Sequence, residues 1–342
     1  MKNTKKLIGI AVAAAGLLAV AVTFFKVVSE NHTGKVEVRL AHNQSAGSEI
    51  ADSIAKFSDF VAEDESMNLD INIYASGVLG SEKEAIEMVQ AGILDMAKVS
   101  SNTLGQFDDR YAIFAIPYLF VDQDHYYTAM EKSEMVQKLF RSTEDDGYIA
   151  IGYYANGARN FYLKEDVVCD NPSALKGKKI RSMPSSTSME MIQAMGGSPV
   201  PMSASETYTA LQQGIVDGAE NTELALTVDG HQDLVTSYTY TEHQYSPDIY
   251  IISTKAWNSL TEEQQNYLVE CLEKTNENFK SLYNGMMEEA IEEAESNGVH
   301  VYRDIDKTAF IEAVQPIHEA FCEKGEAYKA LYEDIQSYAT TD

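Results

Sequence analysis

Cysteine is scarce: three residues, Cys169, Cys271 and Cys322, odd in number and far apart, offer no disulfide framework. They read as small thiols, buried or half-buried. Positive charge is also scarce. Against 53 Asp and Glu stand only 26 Lys and Arg, a formal net charge of -27. A surface so acidic repels phosphate backbones and anionic lipid headgroups, which excludes nucleic acid as a partner class. If such a chain binds an anion, recognition must come from local arginines and backbone donors working against the global field. No internal repeat or low-complexity segment occurs.

Catalytic signatures are missing as well. The chain has no G-x-S-x-G, H-E-x-x-H, Walker A or G-x-G-x-x-G pattern. Its seven histidines include no i,i+3 or i,i+4 pair, so neither a zinc site nor any other metal or cofactor is expected. Ser53 and Lys56 have S-x-x-K spacing, but they fall inside a predicted helix with no partner motif. An exported hydrolase or lyase using one of the histidines stays as the rival class, and a ligand-binding module of a signalling system is a third.

The chain does have an N-terminal export signal. Lys2, Lys5 and Lys6 precede an apolar run from Leu7 to Phe25. This is a signal peptide or N-terminal membrane anchor over residues 1–30. Its 19 residues approach a spanning length and no clean A-x-A site precedes Lys26, so cleavage and tethering both stay open. In both cases the body is exported to the periplasm or the extracytoplasmic face of the cell membrane. Without residues 1–26 it holds 22 basic and 53 acidic residues.

The body opens β-α-β. Val36 to Ala41 alternates as a strand, Ser48 to Glu63 carries a helical apolar face, and Leu69 to Tyr74 is a second strand. Ser81 and Glu84 have capping-box spacing, and the predicted strand at Asp95 to Val99 runs into a loop at Ser100. One amphipathic helix is predicted over Asp124 to Phe140, a strand over Tyr148 to Tyr154, and a helix over Leu224 to Leu234. From Thr261, whose capping box ends at Gln264, a helix continues to about Ser296. Such a helix is about 54 Å long, too long for one small domain, and so reads as a strut along two. A helix pair over Lys307 to Tyr338 closes the chain.

The most informative stretch is Lys176 to Asn221. Arg181 ends a short strand that Pro184 blocks from extending, and Thr187 with Glu190 predicts a helix start beside it. Asn221 ends another short strand after Val216. Strand ends and helix N-termini form the ligand crevice of open α/β sheets. Arg159, after Asn156-Gly157-Ala158, is placed similarly. For both arginines two readings stand: a ligand contact, or a salt bridge to a carboxylate such as Glu190 or Asp217. For Asn221 the alternative is a turn or helix cap. His42 and His243 read as hydrogen-bonded core or rim histidines, and Tyr154, Tyr208 and Tyr245 as core or cleft-wall aromatics.

The string ALKGKKIRSMPSSTSMEMIQAMGGSPVPMSASETYTALQQGIVDGAEN resembles the signature of substrate-binding subunits of TRAP (tripartite ATP-independent periplasmic) transporters, the DctP-type family. RLAHNQ, LGSEKEAIEMVQAGILDMAKVSS, IPYLF, YYANGARNFY and HQYSPDIYIIS match it too, in the family's order over most of residues 36–260. The resemblance implies an α/β, two-domain periplasmic-binding-protein-like fold with crossing hinge strands and a long helix spanning both domains. Domain I would comprise residues 35–156 and 247–286, and domain II residues 157–246 and 287–342, with the helix at about 261–296 shared. It also implies a monomeric receptor that closes around an organic acid and passes it to TRAP membrane permease subunits. The membrane would be met only through the N-terminal segment or the permease.

By the same resemblance Arg181 takes the ligand carboxylate, Arg159 is a second ligand or gate contact, and Asn221 and Asn43 are polar contacts. Ser100 stands in the loop that helps choose the acid. Glu82, Tyr154 and His243 complete the candidate ligand-binding set without an assigned role. Ala75 and Thr222 stand where the family often has proline. Sialic-acid-binding members carry an acid where this chain has Ser100, and Asn where it has Pro184 or Ser185 after the arginine. These departures point away from sialic acid and leave dicarboxylates, uronates, keto acids and aromatic acids open.

Overall fold

In the computed structural model, which describes residues 34–339, the opening parallel unit forms as its alternation requires. β1 (Val36–Ala41) and β2 (Leu69–Tyr74) pair in parallel with Val38 opposite Ile71, and α1 (Glu49–Ala62) joins them. Ser48 caps α1, its Oγ accepting the Ala51 N–H at 3.2 Å. α2 (Glu82–Gln90) begins with the expected reciprocal box between Ser81 and Glu84. β3 (Met96–Ser100) follows, and the predicted loop at Ser100 is instead the cap of a one-turn helix, α3 (Ser101–Leu104).

The single helix expected over Asp124 to Phe140 is two, α4 (Gln123–Lys132) and α5 (Glu134–Arg141). Ser133 breaks it. Its hydroxyl bonds the Asp334 carboxylate and also caps Val136 N–H at 2.9 Å, while its backbone turns extended, with ψ of 117°, so the one residue ends the first helix and starts the second. The chain then forms β4 (Tyr148–Tyr154), β5 (Ala158–Leu163), β6 (Lys179–Ser182), α6 (Ser186–Ala194), β7 (Ser198–Pro201), α7 (Ala204–Gln212) and β8 (Gly218–Asn221). The helix expected from Leu224 to Leu234 stops after one turn, α8 (Leu224–Thr227), and Gly230, with φ of 70°, redirects the chain.

β9 (Ser237–Tyr245), β10 (Asp248–Ser253), α9 (Thr254–Ser259), α10 (Glu262–Ser296), β11 (His300–Tyr302), α11 (Thr308–Glu323) and α12 (Glu326–Gln336) complete the order. Two sheets result, β2-β1-β3-β10-β4 and β11-β9-β5-β8-β6-β7. Alternation along β5 sends Phe161 and Leu163 into one apolar cluster, with Met191 and Phe310, and Tyr162 into another, with Leu211 and Tyr238. Both faces of the second sheet are therefore covered.

Two chain segments pass between the sheets, residues 155–157 from β4 to β5 and Ser246-Pro247 from β9 to β10. They run antiparallel: Tyr154 is opposite Asp248 and Ala158 opposite Tyr245, and Asn156 Nδ2 donates to Ser246 O at 3.2 Å. Lys98 and Asp248 form a buried ion pair at this crossing. Such a pair has left water and depends on both partners staying in place. Gly157 lies against α10, where a Cβ would sit 1.2 Å from the Tyr283 hydroxyl. At 35 residues α10 packs Leu268, Leu272 and Phe279 into the core of the first sheet and Ile291 and Ala294 into that of the second.

The terminal helix α12 packs Leu331 and Ile335 into the first sheet's core, and His125 Nε2 is 2.8 Å from Ile335 O. The division read from sequence places residues 287–342 with the second domain; α11 contributes Phe310 and Val314 to a cluster of the second sheet and Phe321 to the first sheet's core. All three cysteines are free. Among the described residues no helix is long and apolar enough to cross a membrane, and no group of three His, Cys, Asp or Glu side chains could hold a metal ion. The signal peptide or anchor expected over residues 1–30 lies outside the described residues.

Candidate functional site

Three of the predicted residues meet around one carboxylate that sequence reasoning missed. β5 and β8 are antiparallel with Phe161 opposite Glu220, so alternation puts Arg159 and Glu220 on the same face as diagonal neighbours. Arg159 Nε donates to Glu220 Oε2 at 2.5 Å, and Nη2 to Glu220 Oε1 at 3.1 Å and Glu220 O at 2.8 Å. Its Nη1 donates to Asn221 Oδ1 at 2.8 Å. The planar face of Arg159 is thus committed to protein. Glu220 is fully buried. Burial alone would drive its carboxyl toward the neutral acid, but the Arg159 charge and hydrogen bonds outweigh that and hold it at about 2.

Arg181 is arranged differently. It is 4% exposed, and its one hydrogen bond among the described residues runs from Nη2 to Met202 O at 2.9 Å. Nη1 stands 3.9 Å from Glu220 Oε1, and Nε is buried with no partner. Burial lowers its pKa, with the Glu220 charge opposing and the Arg159 charge assisting. For Arg159 the balance is the reverse: burial is overridden by Glu220 and the pKa rises. One arginine is therefore satisfied, and the other keeps an edge of donors in a desolvated place. A planar carboxylate fits that edge through two parallel N–H···O bonds. The structural salt bridges foreseen to Glu190 or Asp217 do not form; Asp217 instead accepts the Lys179 N–H at 2.7 Å.

Asn221 is half-buried, with Oδ1 accepting from Arg159 and from Thr222 N at 2.9 Å, so it is partly the turn cap that its alternative reading required. His243 is fully buried, stacked on Phe161 at 4.5 Å, with Nδ1 2.8 Å from Thr241 Oγ1. Its Nε2 lies 3.6 Å from Glu220 Oε2, beyond hydrogen-bond range. Burial lowers its pKa, against the pull of Glu220. His243 approaches this cluster through Glu220. Tyr154 lies apart from it. It is fully buried against Phe279 at 4.3 Å with Lys98 Nζ over its ring at 4.8 Å, and belongs to the core beside the crossing.

Asn43, Glu82 and Ser100 form a second group. Glu82 Oε1 accepts from Asn43 Nδ2 at 3.0 Å and Ser100 N at 3.1 Å, and Oε2 accepts from Thr103 Oγ1 at 2.6 Å. Burial raises the Glu82 pKa, followed by the Asp248 charge, and its field in turn supports Arg181. The 100–106 segment also meets the 184–188 segment of the second sheet's unit. Asn102 Oδ1 accepts from Ser188 Oγ at 3.0 Å and Ser185 Oγ at 3.4 Å, and Gln106 Nε2 donates to Pro184 O at 2.9 Å.

Ser185, not Thr187, caps α6, its Oγ accepting the Ser188 N–H at 3.1 Å. Two cap-competent residues stood in line, and the one that also reaches Asn102 starts the helix. Neither Thr103 nor Asn102 carried a local signal. Glu220 did, as an acid inside a four-residue strand flanked by Ala219 and Asn221. A separate cavity of about 600 Å3, lined by Glu223, Tyr240 and Tyr283 among others, contains none of the eight predicted site residues.

The family described as bacterial extracellular solute-binding protein, family 7 (DctP), has a model that matches residues 40–325. The chain belongs to this family. Among curated relatives of this DctP-family protein, the uncharacterized protein YiiZ of Salmonella typhimurium is 36% identical over 304 residues, 89% of this chain and 92% of the relative. A TRAP periplasmic solute binding protein of Anaerococcus prevotii, solved with bound α/β-D-glucuronate, has a TM-score of 0.84 and 33% identity, covering 89% of this chain and 98% of that one. Another, of Xanthobacter autotrophicus with bound β-D-galacturonate, has a TM-score of 0.82 and 28% identity, covering 88% and 99%. The two-sheet architecture with its long shared helix is thus that of TRAP solute-binding proteins.

Proposed function

We propose that this DctP-family protein is the extracytoplasmic receptor for a sugar acid of the uronate class, which it captures by hinge closure and delivers to an ion-gradient-driven TRAP permease without chemical change. The observation that carries this reading is the donor edge of Arg181, buried and unpartnered at Nε while Glu220 is held by Arg159. The Glu82 group supports it further. A half-buried carboxylate with amide and hydroxyl neighbours accepts hydrogen bonds from sugar hydroxyls. The second carboxylate of a dicarboxylate would instead meet like charge there. Bound uronates in the two solved relatives favour the same class. The crossing at 155–157 and 246–247 is the hinge in this reading, and closure strengthens the Arg181 contacts by excluding water.

Calorimetric titration with D-glucuronate, D-galacturonate, succinate and N-acetylneuraminate tests it. A uronate is expected to bind at least tenfold tighter than succinate or N-acetylneuraminate, and to be recovered unchanged by NMR. Tighter binding of succinate would overturn the substrate class, and conversion of the uronate would restore the hydrolase or lyase reading.

A further inference from the structure

The cavity of about 600 Å3 does not include Arg181 in its lining. Its walls include Glu223, Tyr240, Tyr245, Tyr283, Glu288 and Glu292. Two other acids at its edge are already neutralised, Glu242 by Lys307 and Glu295 by Arg303 at 3.0 Å. Glu223, Glu288 and Glu292 have no ion pair among the described residues. Glu288 and Glu292 are one helical turn apart on α10, so their charges repel. Glu223 is the stronger indication. It lines the cavity at 5% exposure, and its Oε2 is buried with no hydrogen-bond partner. Burial pushes its carboxyl up to about 7. A buried acceptor left unpaired is costly, and a donor with positive charge relieves both the desolvation and the rim repulsion.

We infer that this cavity is a second ligand site, for a small aliphatic amine: one ammonium group donates to Glu223 among the faces of Tyr240, Tyr245 and Tyr283, and the far end of the molecule is held by Glu288 and Glu292. Ammonium over tyrosine faces adds cation–π attraction. An aliphatic stem suits the apolar wall of Met287 and Ile291. The site shares no residue with the Arg181 pocket and does not rest on the uronate reading.

The test is calorimetric titration of the full chain at pH 8 and low salt with 1,4-diaminobutane, and with potassium chloride at matched ionic strength. One saturable diamine site is expected, retained in the presence of saturating D-glucuronate. Glu223→Gln is expected to weaken it at least tenfold. The exposed pair Glu288→Gln with Glu292→Gln is expected to weaken it several-fold, and decides the matter if Glu223→Gln fails to fold. Absence of a saturable site, equal competition by potassium, or unchanged affinity in folded variants would each overturn the inference.

Discussion

Arg181 and Arg159 belong to one charge cluster, yet the geometry assigns them different work, and replacing each by lysine separates the two. In Arg181→Lys the positive charge stays while the planar fork that carries the unpartnered Nε is lost. One of two parallel charge-assisted hydrogen bonds to a ligand carboxylate disappears, worth about 1.5–3 kcal/mol. At about 1.4 kcal/mol per tenfold, uronate affinity falls about 10- to 150-fold. The unliganded melting temperature changes little, because the protein loses only the bond to Met202 O. In Arg159→Lys the reverse is expected: the bidentate grip on Glu220 is broken inside the fold, costing about 1–3 kcal/mol of stability. Calorimetry for affinity and thermal denaturation for stability, on both variants, read the two effects independently. The reasoning is refuted if Arg181→Lys binds uronate within twofold of the parent, or if Arg159→Lys loses more affinity than Arg181→Lys at an unchanged melting temperature.

Glu220→Gln leaves two buried guanidinium groups without their counter-charge; a loss of about 3–5 kcal/mol in urea unfolding is expected. Gly157→Ala places a methyl where the Tyr283 hydroxyl lies, and overpacking there lowers stability by about 1–3 kcal/mol. Adding Tyr283→Ala is expected to relieve that clash, so the double variant is less destabilised than the two single effects summed, in a thermal-denaturation cycle. Stability also depends on pH through buried histidines. Burial holds His42 and His231 at about 4, well below their unfolded value, so the unfolded chain binds protons first on acidification. Their contribution is full above the unfolded pKa of about 6.5 and is lost as pH falls toward about 4. Glu220 acts lower, its contribution falling away as pH drops through about 2. Between pH 7 and pH 4 the melting temperature of His42→Asn is expected to lose less, relative to its own value at pH 7, than that of the parent.

Local signals carried much of the fold. The boxes at Ser81 and Thr261 satisfy backbone donors within four residues, and both helices start where those residues stand. The alternation at Val36 to Ala41 and the apolar stripe of α10 likewise needed no distant partner to be read. Where a distant group competed, reading along the chain failed. Asp334 takes Ser133 out of a helix, and Asn102 moves the start of α6 to Ser185.

The same division runs through the site. Sequence alone placed an arginine at the end of β6 and a polar strand end at Asn221 within a chain of the DctP family, because motif and strand position are written in consecutive residues. Only the tertiary structure decided which arginine is free. Glu220 lies 61 positions from Arg159, and its burial between the two arginines follows from the pairing of β5 with β8. Folding also buried His243 and Tyr154 fully and brought Asn43 and Ser100 onto the Glu82 carboxylate. Charge type is local to a residue; desolvation and partnership depend on what the rest of the chain brings to it.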